Sequence, residues 1–113
     1  MMADNLAPFI KWGSFRSIDE KNPDILHLRA VETQPFETQY STCVRVKIRD
    51  GTTLTDAILN LKSHESANAS LLNQWNKLAE SGKIKHGAEL TLRTWLGQSK
   101  YNKRPIRRFA IEV

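Results

Sequence analysis

The sequence predicts a mainly β domain with one α-helix between its third and fourth strands. Three observations lead there. From Tyr40 to Arg49 apolar and basic residues alternate, with Val44, Val46 and Ile48 on one side and Arg45, Lys47 and Arg49 on the other; this is the period-two pattern of a strand with one buried face. Asp50-Gly51 follows at once, and that pair accepts the left-handed backbone of a tight hairpin, so another strand is expected directly after it. Leu71, Trp75, Leu78 and Ala79 then recur at helical spacing and make one apolar stripe, closed by Gly82, which can end a helix in the left-handed region. At 113 residues the chain suits one domain around one core.

The other elements follow in order. Residues 1–23 read as an N-terminal extension. Its aromatic stretch, Phe9–Phe15, suits either a lid strand over the core or a row of surface rings, and Asp19–Asp24 is a turn cluster broken at Pro23. Ile25–Glu32 reads as the first strand, with Leu26, Leu28 and Ala30 facing one way and His27 and Arg29 the other. Thr33–Gln39 is a polar connection containing Pro35. In Thr52–Leu61 both parities carry apolar residues, which predicts a strand buried on both sides or bulged near Asp56. Asn68 or Ser70 is placed to cap the helix.

Two last strands, Glu89–Leu96 and Ile106–Val113, close the chain. Leu90, Leu92 and Leu96 oppose Arg93 and Trp95 in the first; Phe109, Ile111 and Val113 oppose Arg108 in the second. The loop between them, Gly97–Pro105, carries Lys100, Tyr101, Lys103 and Arg104.

Charge points to a partner class. Lys and Arg number 17 against 12 Asp and Glu, a net charge of +5 and a pI near 9.6, and a small domain this basic favours a polyanion. From Lys83 to Arg108 the only acid is Glu89. Like charges along one strand face repel, so an anion beside Arg45, Lys47 and Arg49 is expected to stabilise them. Cations next to an outward Trp95 and a loop Tyr101 suit a groove in which cations track phosphates and rings stack on bases. The same pattern also suits a solvated hairpin whose Trp covers an apolar edge.

Other classes find little support. A single cysteine, Cys43, leaves neither an internal disulfide nor a zinc–thiolate cluster. His27, His64 and His86 stand at no metal-ligand spacing, and no nucleophile motif or glycine-rich phosphate loop is present. No catalysis and no cofactor are expected. With no secretory signal and no bilayer-spanning apolar run, the chain is expected to be cytoplasmic, or in the nucleoid or nucleus if DNA is its partner, and not in a membrane.

The order strand, strand, strand, helix, strand, strand over residues 24–113 resembles the OB-fold. In that family a five-stranded Greek-key barrel is plugged by a helix between strands three and four. The resemblance is general, to single-stranded-DNA-binding proteins and the domains of replication protein A. It implies a binding face on strands two and three, flanked by the loops that follow strands one and four. On this chain the face would hold Arg45, Lys47 and Arg49, and the loops would be Thr33–Gln39 with Phe36 and Gly97–Pro105. The departure is a shortage of rings on those strands, where only Tyr40 lies near. Stacking would then come from Trp95, Tyr101, Phe36 or Trp12.

The resulting expectation is non-catalytic binding of single-stranded nucleic acid, DNA favoured over RNA. Arg45, Lys47, Arg49, Arg93, Lys100, Lys103, Arg104 and Arg108 would contact phosphates, and Trp95 and Tyr101 would stack on bases. The alternatives are a protein-interaction module or small subunit of a larger assembly, docking through Phe9, Trp12 and Phe15, and a duplex binder that uses the basic loop. A homo-oligomer is compatible with any of these.

Overall fold

A computed structural model describes residues 8–98 and 104–113 of the chain. It contains β1 (Asp24–Ala30), β2 (Phe36–Glu37), β3 (Ser41–Asp50), β4 (Thr53–Ser63), α1 (Ser70–Glu80), β5 (Glu89–Gln98) and β6 (Pro105–Glu112), preceded by a 3-10 turn at Trp12–Ser14. All strand pairs are antiparallel. β3 pairs β4 along one edge; along the other it meets β2 at Thr42–Cys43 and β1 at Val46–Ile48. β1 continues to β5, and β5 to β6. The outermost strands β4 and β6 are not paired to each other, so among the described residues the sheet is open.

Alternation places the core. Leu28, Ala30, Val44, Val46, Leu59, Leu61, Leu90 and Leu92 project from one face of the curved sheet and are almost fully buried. Against them pack Leu71 and Trp75 from α1, and Ile84 from the turn after it. Burying each Leu, Ile or Val side chain here is worth about 1.5–3 kcal/mol. Trp75 is wholly inside, and its Nε1–H donates to the Thr33 carbonyl at 2.9 Å, which ties the helix to the connection after β1 and leaves no orphaned donor. Gly82, at φ +78°, ends the helix as expected. Its N–H donates to the Ala79 carbonyl at 3.1 Å, and Lys83 N–H donates to the Leu78 carbonyl at 2.9 Å, the paired bonds of a Schellman motif.

Two devices span the open side. α1 packs on both β4 and β6. Its Gln74 supplies the hydrogen bonds that a neighbouring strand would, with Nε2–H donating to the Phe109 carbonyl at 2.8 Å and Oε1 accepting from Ile111 N–H at 3.1 Å. Asn68 Nδ2–H adds a bond to the Arg107 carbonyl at 2.9 Å. The other device is the N-terminal strap. Ile10 N–H donates to the Ile58 carbonyl, and Ile58 N–H donates to the Pro8 carbonyl, both at 2.9 Å, which is a short parallel bridge on β4. Trp12 then lies edge-on to Phe109 at 5.1 Å, and Leu96 N–H reaches the Ser17 carbonyl at 2.9 Å.

Three expectations are corrected and one open alternative is resolved. The five strands expected are six, because Phe36–Glu37 finds the free edge of β3 and becomes β2, and the sheet they form is open among the described residues. Phe9–Phe15 is not one strand: it bridges β4 at Phe9 and then turns at Trp12–Ser14. Its rings divide accordingly, Trp12 and Phe15 packing against the core and Phe9 staying 45% exposed. The helix begins at an Ala69 N-cap with no side-chain cap; Asn68 Oδ1 instead accepts Ser70 N–H at 3.2 Å. The ambiguous parity of the third predicted strand resolves as burial on both sides at Ala57, Ile58 and Leu59, since the strap covers the face that Ile58 presents.

Candidate functional site

Register defines the outer face of the sheet. Lys47 stands between Asp56 on β4 and Arg29 on β1, and Arg29 stands opposite Glu89 on β5. Arg45 and Arg49 lie one pleat to either side of Lys47 on the same face, as the alternation predicted. On β5 the outer face continues through Thr91 and Arg93 to Trp95, which sits opposite Arg108 on β6. From residue 89 to residue 95 the strand advances about 20 Å at ~3.3 Å per residue. Arg45, Lys47 and Arg49 are thus gathered at one end, and Trp95 and Arg108 at the other. Lys100, Tyr101 and Lys103 lie outside the described residues, and Arg104 directly precedes β6.

Each β3 cation already has an anion, supplied by the protein itself. Lys47 Nζ is 2.7 Å from Asp56 Oδ1, and Arg45 Nη1 is 3.5 Å from Glu32 Oε2. Arg49 and Arg29 share Glu89 Oε1, the latter at 3.2 Å. Arg93 pairs with Glu112 on β6. An anion beside these cations was expected but its source was not, because Glu32, Asp56 and Glu89 lie on three different segments. The hydrogen bonds from Arg29 and Arg49 hold the Glu89 carboxyl below its ordinary value, so it stays ionised in mildly acidic solution. Among the described residues no carboxylate pairs with Arg108. Its stem crosses Gly97 so closely that a Cβ there would stand 3.2 Å from the Arg108 Cγ.

Arg107, next along the strand, turns the other way. It donates to Thr94 Oγ1 at 3.2 Å and to the Phe15 carbonyl at 3.4 Å. Partial burial lowers its pKa, and the Asp24 carboxylate opposes that shift. This guanidinium fastens the strap rather than facing a ligand.

Beside the β3 cations lies a groove of ≈ 620 Å³, lined by Phe9, Phe36, Tyr40, Arg45, Lys47 and Ile58 among others. It supplies the rings that the strand sequences lack. Phe36 arrives through β2, and the Arg45 guanidinium lies over its ring at 4.7 Å. Tyr40 is 72% exposed. Its position comes from a tight turn in which Thr38 Oγ1 accepts the N–H groups of Tyr40 at 3.2 Å and Ser41 at 3.0 Å. Phe9 arrives on the strap. Of these three, Phe36 was in the expected stacking set, Phe9 was one of the rings left between lid and surface, and Tyr40 was not expected to stack. The threonine two residues before Tyr40 turns the ring outward, but a threonine at that spacing is no specific signal in a sequence.

Cys43 and two of the three histidines have partners within the fold. Cys43 is fully buried, and burial raises its pKa while Ser41 Oγ sits 3.0 Å from the sulfur. His86 Nδ1 is 2.6 Å from the Val31 carbonyl, and His64 lies 3.3 Å from Glu37. Among the described residues no three His, Cys, Asp or Glu side chains gather as a metal site, and no helix is long and apolar enough to cross a membrane.

The chain matches no family model, no curated protein and no solved structure.

Proposed function

We propose that the chain is an OB-like barrel, left open between its first and last sheet edges, that binds single-stranded nucleic acid without catalysis, DNA in preference to RNA. The observation that carries this reading is the juxtaposition of Phe36, Tyr40 and Phe9 with Arg45 and Lys47 in one open groove. Rings beside cations suit an unpaired strand, whose bases expose their faces while its phosphates run alongside. Connectivity supports the barrel reading. β1 pairs β3 and β5, β3 pairs β4, β5 pairs β6, and the helix joins β4 to β5. That is the OB-fold plan once the two-residue β2 is set aside. Phosphate contacts come from Arg45, Lys47 and Arg49 at the groove, and from Arg93, Lys100, Lys103, Arg104 and Arg108 towards the final hairpin. Trp95 and Tyr101 offer stacking there.

The test is a fluorescence titration with a single-stranded oligonucleotide, using Arg45→Glu/Lys47→Glu as the comparison. The double reversal is expected to abolish binding while leaving the circular-dichroism melt near that of the parent. Unchanged affinity would move the interface elsewhere. A protein-interaction module is the second reading, favoured by the cross-strand pairing of the basic face. Its signature would be no oligonucleotide binding even at low salt.

A further inference from the structure

The two cations that line the groove are not merely near acids; both acids are held in place. Asp56 is the direct cross-strand partner of Lys47, so strand pairing sets its position, and the carboxylate meets Nζ at 2.7 Å. Glu32 is anchored from the other side: its Oε1 accepts the Arg45 backbone N–H at 2.9 Å, which leaves Oε2 aimed at the Arg45 guanidinium at 3.5 Å. A carboxylate oxygen offers these donors the same charge and much the same distance as a phosphate oxygen. While Glu32 holds it, the Arg45 guanidinium also lies across the Phe36 ring, the face on which a base would stack.

We propose that Glu32 and Asp56 are built-in competitors for the polyanion, tying down Arg45 and Lys47 and keeping Phe36 covered until a phosphate displaces them. This rests on the nucleic-acid reading and adds to it that two acids, neither of them expected from sequence as part of the site, set how tightly and how salt-sensitively the groove binds. Two of the groove's phosphate-facing cations are neutralised at rest, so the unmodified protein releases fewer counterions on binding than its cation count implies.

The experiment compares three full-length proteins against one oligothymidylate between about 50 and 200 mM salt. They are the parent, Glu32→Gln/Asp56→Asn, and Glu65→Gln/Glu80→Gln, which makes the same change in net charge at exposed acids elsewhere. Glutamine at 32 keeps the acceptor for the Arg45 N–H. The groove variant is expected to bind about three- to twentyfold more tightly than the parent at the lower salt, the range that two exposed ion pairs can contribute. Its salt slope should steepen by roughly one, for the cations set free. The distal variant should stay close to the parent. A groove variant that binds no better than the distal one overturns the proposal and leaves the nucleic-acid reading standing. No binding by any of the three overturns both. Asp56→Asn alone, at a side chain 68% exposed, must show the same direction of change, and it decides between these outcomes if the double variant folds poorly.

Discussion

Trp95 and Tyr40 are both rings on the outer surface, yet they reach it by different routes. Trp95 is a strand residue whose outward direction follows from alternation with Leu92, Thr94 and Leu96. Tyr40 is a turn residue whose direction is imposed by the Thr38 hydroxyl. The first route is legible in a sequence and the second is not, because a hydroxyl two residues away serves turns, caps and solvent equally well. Trp95→Ala is expected to weaken oligonucleotide binding by about five- to a hundredfold, the worth of one stacked base, with an unchanged thermal melt. A melt that collapses would instead make Trp95 part of the fold. Glu89 carries a prediction of another kind. Its folded pKa lies below the ordinary value of 4.5 because Arg29 and then Arg49 hydrogen-bond the ionised form. The stability it adds is therefore whole above about pH 4.5 and is lost as pH falls through the lower folded value. Urea melts of the parent and Glu89→Gln should diverge at neutral pH and converge in acid. Parallel curves throughout would mean that the shared carboxylate contributes nothing.

Elements repeat the pattern on a larger scale. β1, β3 and β5 were legible because one side of each meets the core, and alternation records that directly. β2 was not, since two residues beside a proline carry no period; it exists because β3 extends past β1 and leaves backbone groups to be met. β4 was legible as a strand but not in its facing, as only the strap, far away in sequence, explains why Ile58 is buried. The helix was legible in its stripe and its glycine stop. Its second role was not: Gln74 borders the stripe as a polar side chain with no visible partner in the sequence, but it is bonded along the edge of β6. Gln74→Ala would leave the Phe109 carbonyl and Ile111 N–H without these partners, at a cost of about 1–3 kcal/mol. Chemical denaturation should show this as a lower midpoint with an unchanged slope. A neutral result would mean that water replaces the glutamine at no cost.

At the level of the whole molecule, the net charge of +5 overstates how basic the sheet's outer face is. Five of its cations, Arg29, Arg45, Lys47, Arg49 and Arg93, are paired with four acids, Glu32, Asp56, Glu89 and Glu112, so most of the positive charge on that face is cancelled, with Arg108 outside these pairs. The composition predicted the sign of the partner and could not reveal this cancellation, which depends on which strands are neighbours. For the parent protein, the logarithm of oligonucleotide affinity is accordingly expected to fall with the logarithm of salt more gently than about 0.7 for each of the eight proposed phosphate-contacting cations. A slope at that full value would show that the carboxylates give way without effect.

The strap that joins Ile10 to Ile58 and Trp12 to Phe109 also bears on how the chain is made. A ribosome releases the first of these partners long before the second. Phe9 and Trp12 therefore leave the exit tunnel with nothing to dock on, and Trp12 waits until the final strand has been synthesised. Contacts between residues so remote along the chain are slow to form, so seating of the amino-terminal segment should be a late event in biogenesis, with two bulky aromatic side chains open to chaperones until then.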